Sequence, residues 1–291
     1  MQHDAISVKA YGKVNLSLEV TGRREDGYHT LCSVMQSVSL FNKVSVKKSD
    51  KSGILLRCND PLLPLDEKNT AFRAAKRFFE YTGLKDGVEI EVIKNVPYQA
   101  GLGSASADAA GVLACLNKLY PDIMTQKELL GVALGVGADV PFCLIGGTML
   151  AKGIGEELYQ LPKLPQAHML IVWPQKGVST KEAYDKLDEV EYKPVYDENS
   201  MISALNSGKI ECVAKNLYNA FEKHCPVSDV AQIKKELIDS GALGASMSGS
   251  GTAVFGIYAD ETALLNAREK ISVNNRKTAL AIPKPVGVEF E

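Results

Sequence analysis

Along "ISVKAYGKVNLSLEV", residues 6–20, apolar side chains fall at alternate positions: Ile6, Val8, then Val14, Leu16, Leu18 and Val20. A period of two puts them on one face of an extended chain, as a half-buried strand requires. The pattern predicts two paired strands with a break near Gly12. "VSLFNKVSVKK" and "GILLRC" continue the strand character. In "KNTAFRAAKRFFEYTG" the spacing changes to steps of three and four through Ala71, Ala74, Ala75, Phe78 and Phe79, predicting a helix closed by Gly83. "GVEIEVIKNVP" returns to alternation and stops at Pro97, which has no N–H for a ladder. "SADAAGVLACLNKLY" is apolar on most sides and predicts a buried helix. In "TQKELLGVALGVG" a second helix opens with Thr125 and Glu128 at capping-box spacing.

The two prolines of "LPKLPQ" mark a linker, which divides the chain into residues 1–160 and 161–291. Beyond it "HMLIVWP" predicts a buried strand and "STKEAYDKL" a helix capped by Ser179 or Thr180. "VSDVAQIKKELIDSGA" predicts another helix, closed by Gly241. "GASMSGSGTAVFGIYA" predicts a glycine turn entering a strand, and "ETALLNAREKIS" a last helix. Strands and helices mix without regular βαβ alternation. The expected class is α+β in two domains.

Charge narrows the function classes. Thirty-three Lys and Arg against 35 Asp and Glu give a net charge of -2, with the basic residues scattered, so no nucleic-acid partner is expected. No apolar run approaches the roughly 18 to 20 residues of a membrane span, and the opening lacks the order of a secretory signal. The expected location is the cytoplasm, with no membrane partner. The six cysteines lie far apart, without C-x-x-C or zinc spacing, and are expected to be reduced thiols.

Five stretches carry possible chemistry. "PYQAGLGSASADAAG", residues 97–111, lies between a predicted strand and a predicted helix, so its N–H groups stand at the positive end of a helix dipole. Glycines at 101 and 103 let an oxyanion approach the backbone, and Ser104 and Ser106 add hydroxyls. By its own residues it fits a phosphate loop and a helix-packing turn equally. "GADVPFCLIGG" sets Asp139 among apolar neighbours, where a carboxylate needs a cation unless it is a turn or cap residue. Lys13 is the obvious partner, with Asn15 on the same strand face; taken alone it fits a surface lysine. Tyr28 and His29 in "DGYH" suit a planar heterocycle, or a core tyrosine and a solvated histidine. "SMSGSGTAVF" could aim N–H groups at a second anion or brace the first loop.

In this order the five stretches resemble the galactokinase, homoserine kinase, mevalonate kinase and phosphomevalonate kinase (GHMP) superfamily, whose second motif matches Pro97 to Ser104. Within it, "KAYGKVNLSLEVTGRREDGYHTLCSVMQSV", "AGLGSASADAAGVLACLN", "LGADVPFCLIGGTMLAKGIGE" and "MSGSGTAVFG" are similar to the 4-diphosphocytidyl-2-C-methyl-D-erythritol kinase family. The resemblance implies a two-domain GHMP kinase fold, with an N-terminal half like ribosomal protein S5 domain 2 and a ferredoxin-like C-terminal half whose last strand can return to the first. It implies transfer of the ATP γ-phosphoryl group, with Mg²⁺, to the 2-hydroxyl of a small-molecule alcohol, by a monomer or homodimer. Lys13 and Asp139 would be the catalytic pair. Pro97, Ala100, Gly101, Leu102, Gly103, Ser104, Ala105, Ser106 and Ala107 would hold ATP. Asn15, Tyr28, His29, Lys152 and Tyr184 would bind the acceptor, Tyr28 and Tyr184 sandwiching its cytosine. Ser248, Gly249, Ser250 and Gly251 would form the third motif. The metal ligands are not specified by the resemblance.

Two departures stand out. The family loop resembles Gly-Leu-Gly-Gly-Gly-Ser-Ser-Asp, whereas residues 101–108 read Gly-Leu-Gly-Ser-Ala-Ser-Ala-Asp. Ser104 and Ala105 restrict φ where glycine is free, and the hydroxyl at 107 is gone. Thr252 stands where proline is common. A homoserine- or mevalonate-type kinase, or a non-catalytic nucleotide-binding relative, would share the fold.

Overall fold

The alternating N-terminal stretch forms one strand, β1 (Ala5–Arg23), and not the two paired strands expected from its glycine. Its partner is the equally long β2 (His29–Ser49). Their register jumps from Tyr11 opposite Phe41 to Gly12 opposite Val38, so Gly12 marks a bulge of β2. A Cβ at Gly12 would lie 3.2 Å from the Leu102 carbonyl oxygen, to which the Lys13 N–H donates at 3.0 Å. Glycine lets β1 pass directly beneath the loop at 97–103.

The structure is a computed structural model that describes residues 5–175, 177–271 and 276–291. Met1 to Asp4, and Ser272 of the last expected helix, lie outside the described residues. The first sheet has the order β12-β1-β2-β4-β3, with β3 at Ile54–Cys58, β4 at Gly87–Ile93 and β12 at Val288–Phe290. Each long central strand has two outer neighbours. Along β2 these are β4 and β5 (Thr148–Lys152); along β1 they are β12 and the short β8 (Tyr218–Asn219). β6 (Glu157–Gln160) pairs with β5.

Four helices pack on this sheet: α1 (Thr70–Thr82), α2 (Ser104–Leu119), α3 (Gln126–Val136) and α4 (Val140–Ile145). Val8, Val44, Ile90, Phe78, Leu113 and Phe142 belong to the core between them. α1 and α3 form as the sequence predicts, α1 capped by Asn69 and ended by left-handed Gly83, α3 opened by the Thr125–Glu128 box. α2 begins two residues before the predicted Ser106. α4 follows "GAD" directly, with Asp139 at its N-cap position.

The second sheet has the order β11-β7-β10-β9, from β7 (His168–Trp173), β9 (Gly244–Met247), β10 (Val254–Tyr258) and β11 (Lys277–Ala281). "GASM" is thus a strand, not part of a turn. α5 (Thr180–Asp188), α8 (Asp229–Asp239) and α9 (Glu261–Ile271) pack on this half. α6 (Glu198–Asn206) and α7 (Ile210–Lys215) were not foreseen from periodicity.

β1 joins the halves. Its even-numbered side chains enter three successive cores: Val8 and Ala10 under the first helices, Val14 and Leu16 against Met169 and Phe255, Leu18 and Val20 against Leu170 and Val254. Its odd-numbered face is buried as well: Lys13, Asn15, Ser17 and Glu19 are all under 5% exposed. A polar face buried to that degree must be fully paired. This face supplies the site.

Candidate active site

A cavity of about 750 Å³ opens between β1, the loop before α2, the start of α4, and α5. That volume suits a small-molecule site. Lys13, Asn15, Tyr28, His29, residues 97–106, Asp139, Tyr184, Gly249 and Ser250 line it; Ala107, Lys152, Ser248 and Gly251 do not.

Asp139 holds the N-cap position of α4, yet its carboxylate caps nothing. Its Oδ2 instead lies 3.7 Å from Lys13 Nζ, which decides between the cap and the paired-carboxylate readings in favour of the pair. The lysine side chain is 5% exposed and the aspartate 38%, so the cation is sunk in the wall and the anion faces the cavity. Lys13 Nζ also donates to Asn15 Oδ1 at 2.7 Å; Asn15 Nδ2 donates to Ser33 Oγ at 2.7 Å, and that hydroxyl to the Ser17 carbonyl. Both ends of the Asn15 amide are therefore spent on aiming the lysine. Behind Asp139, burial pushes the Cys143 thiol up, with the aspartate charge adding to it.

The loop is held by the third glycine motif. Ser248 Oγ accepts from the Asn15 N–H at 3.2 Å and donates to the Gly101 carbonyl at 2.9 Å, while the Ala253 N–H donates to the Ala100 carbonyl. Asn219 Nδ2 donates to the Met247 and Gly249 carbonyls at 2.8 Å. Of the two roles considered for "SMSGSG", bracing the first loop is the one formed. Gly101 and Gly103 have φ of +75° and +69°. Ser104 and Ala105 are helical, without positive φ, so the expected restriction at these two positions has no backbone cost. The first N–H groups of α2, at Ser104, Ala105 and Ser106, have no carbonyl one turn back and stand at the positive helix end. Ser106 lines the cavity, and its hydroxyl makes no hydrogen bond among the described residues. Ala107 is 0% exposed in the core, so a hydroxyl there would not reach the cavity. Ser104 differs from expectation: its hydroxyl is hydrogen-bonded to Val96 and Lys94 rather than free for a ligand.

At the far end, His29 stacks on Tyr184 with ring centroids 4.5 Å apart and planes 17° apart, and Phe221 meets Tyr184 edge-on. Burial pushes the Tyr184 phenol up to about 12, with the charge of Asp139 a second cause. His29 Nε2 lies 2.7 Å from Asp188 Oδ1, and Arg23 holds Oδ2 at 3.3 Å. Tyr28 is 63% exposed. The ring stacked on Tyr184 is His29. Lys152, expected at the acceptor, stands apart from these rings. Its ammonium pairs with Glu198 of α6 at 3.0 Å, which raises the lysine pKa, and it is off the cavity wall.

Sequence reasoning passed over Asn42, Lys94, Asp108 and Asp188. Asp108 carried a usable signal, because a carboxylate inside an alanine-rich helix needs a cation as much as Asp139 does. Asp188 carried none, since its partners are 159 and 165 residues away.

Residues 69–147 match the GHMP kinases N terminal domain and residues 201–276 the GHMP kinases C terminal family. A 4-diphosphocytidyl-2-C-methyl-D-erythritol kinase of Clostridium botulinum (strain Alaska E43 / Type E3) is 42% identical over 270 residues, covering 91% of this chain and 95% of its own. A crystal structure of 4-(cytidine 5'-diphospho)-2C-methyl-D-erythritol kinase superposes with a TM-score of 0.81 at 31% identity, over 95% of this chain and 98% of its own. Homoserine kinase from Cytophaga hutchinsonii gives a TM-score of 0.80 at 23% identity, over 100% of this chain and 98% of its own, and so shares the fold. With its buried lysine, facing aspartate and glycine loop set on that fold, the chain belongs to the 4-diphosphocytidyl-2-C-methyl-D-erythritol kinase family of the GHMP kinases.

Proposed function

We propose that this chain transfers the γ-phosphoryl group of ATP to the 2-hydroxyl of 4-diphosphocytidyl-2-C-methyl-D-erythritol, giving the 2-phosphate and ADP, in isoprenoid biosynthesis. The observation that carries this reading is the Lys13–Asp139 pair on the wall of a cavity shared with the N-terminus of α2.

Asp139 accepts the proton of the acceptor hydroxyl as that oxygen attacks the γ-phosphorus, and the bond to the ADP oxygen breaks. Lys13, fixed by Asn15, orients the carboxylate and offsets negative charge at the reacting group. The N–H groups of residues 104–106 and the Ser106 hydroxyl hold phosphate oxygens, and the bracing from Ser248 keeps the loop in place. Among the described residues no cluster of three or more His, Cys, Asp or Glu could hold a metal unaided. A Mg²⁺ carried by the phosphates fits such a wall, with Ser106 and Asp139 as the residues to touch it. Bound there, it would neutralise phosphate charge. Tyr28 and the His29–Tyr184 stack receive the cytosine, and Lys152 drops out of the acceptor site. The proposed compartment is the cytoplasm, where ATP is abundant and the six free cysteines stay reduced.

ADP release with ATP, Mg²⁺ and this acceptor tests the reading. The wild type should turn over, and Asp139→Asn should lose at least about a thousandfold in kcat while still binding nucleotide. Equal turnover of homoserine or mevalonate would move the chain to another GHMP activity. Failure to bind ATP at millimolar concentration would leave a non-catalytic relative.

A further inference from the structure

Ser104 stands at the first turn of α2, is 5% exposed, and directs its hydroxyl into the protein. That hydroxyl donates to the Val96 carbonyl at 2.8 Å and accepts from Lys94 Nζ at 2.6 Å, with Asn42 Nδ2 at 3.3 Å. Lys94 Nζ also donates to Asp108 Oδ2 at 2.5 Å, and both side chains are under 8% exposed. Asn42 closes the ring: its Nδ2 donates to Asp108 Oδ1 at 2.6 Å, and its Oδ1 accepts the N–H groups of Asn95 and Val96, each at 2.8 Å. Burial raises the Asp108 pKa, against the pull of Lys94. A buried cation, carboxylate, amide and hydroxyl thus satisfy one another, as polar groups in such a place must.

The knot ties residues 94–96, which precede the phosphate loop, to residues 104 and 108, which follow it. Asn42 sits in β2 opposite Ala10 of β1, so the anchor rests on the centre of the sheet. Asp108 grips α2 one turn beyond the free N–H groups. The Ser104 hydroxyl grips the turn that carries them from the side of residues 94–96, while Thr70 Oγ1 donates to the Ala105 carbonyl at 2.8 Å from α1. We propose that Ser104 is a positioning residue for the nucleotide phosphates, its hydroxyl fixing the first turn of α2 to Lys94 and Val96 so that the N–H groups of residues 104–106 keep their aim. This rests on the reading of the loop as the ATP site. It also gives a use to a serine that stands where the family resemblance expects glycine.

The test is calorimetric titration with a non-hydrolysable ATP analogue in the absence of acceptor, alongside KM for ATP, KM for the acceptor, and melting temperature. Ser104→Ala should weaken analogue binding and raise KM for ATP by about tenfold, leaving KM for the acceptor within twofold. A second variant, Lys94→Met with Asp108→Asn, removes both charges together and avoids an unpaired buried carboxylate. It should show the same selective loss. Analogue affinity within twofold of wild type in both variants, or both KM values rising together with the melting temperature falling, would overturn the proposal. A wild type that binds no analogue would overturn the ATP reading itself, which separates the two failures.

Discussion

At Gly101 a Cβ would sit 1.9 Å from the Ser248 carbonyl oxygen, at a φ of +75°. The φ alone costs any other residue on the order of 1–3 kcal/mol, and the contact is with backbone that cannot rotate away. Gly101→Ala should therefore lower the melting temperature and raise KM for ATP at least about tenfold; scanning calorimetry and initial rates check both. His29 offers a different kind of test. A carboxylate only accepts, so Asp188 fixes the hydrogen on Nε2 and leaves Nδ1 as the open position. Asp188→Asn should raise KM for the acceptor several-fold and leave KM for ATP unchanged in steady-state kinetics. Lys13, Asp139 and the loop glycines were ambiguous one by one and legible only as a set, because a lone lysine, a cap aspartate and a glycine turn each have an ordinary structural use. The ion pair of Lys152 was not legible, because its partner Glu198 lies 46 residues away on a helix that gave no signal.

Elements differ in how plainly they announce themselves. α1 and α3 carry caps and regular apolar spacing, and both form as the pattern dictates. α6 and α7 are nine and six residues long, too short for a period to show. β1 has the right period but the wrong expected partner: alternation implied a half-wet strand, whereas both faces are covered and the polar one holds Lys13. The start of α3 is testable by itself. The Thr125 N–H donates to Glu128 Oε2 at 2.7 Å and the Glu128 N–H to Thr125 Oγ1 at 3.3 Å. Thr125→Ala should destabilise by about 1 kcal/mol in urea denaturation. The Thr125 backbone bond, then its hydroxyl and Tyr81, bring the Glu128 carboxyl down to about 2 from 4.5. A lowered folded value means its contribution is complete above pH 4.5 and fades as the pH falls toward 2. The difference between wild type and Glu128→Gln should therefore shrink across that window in acid denaturation.

Across the whole molecule the C-terminal segment is a brace for α4. A Cβ on Gly287 would lie 1.9 Å from the Cys143 carbonyl oxygen, and one on Gly146 would lie 1.9 Å from the Gly287 nitrogen. The Gly287 N–H donates to the Ile145 carbonyl at 3.1 Å, and the Tyr11 N–H donates to the Gly287 carbonyl at 2.8 Å. The segment is wedged between α4, which carries Asp139, and β1, which carries Lys13. Gly287→Val should push these apart and cut kcat by about tenfold or more, while binding of the ATP analogue, braced from Ser248, changes little. Titration and single-turnover rates separate the two effects. β1 has a further consequence, in the order of synthesis. It is made before its outer neighbours β8 and β12, which follow it by roughly two hundred residues or more. Lys13 is translated before β8 and β12, so a nascent chain stalled ahead of them holds the lysine on a strand whose outer edge is still open.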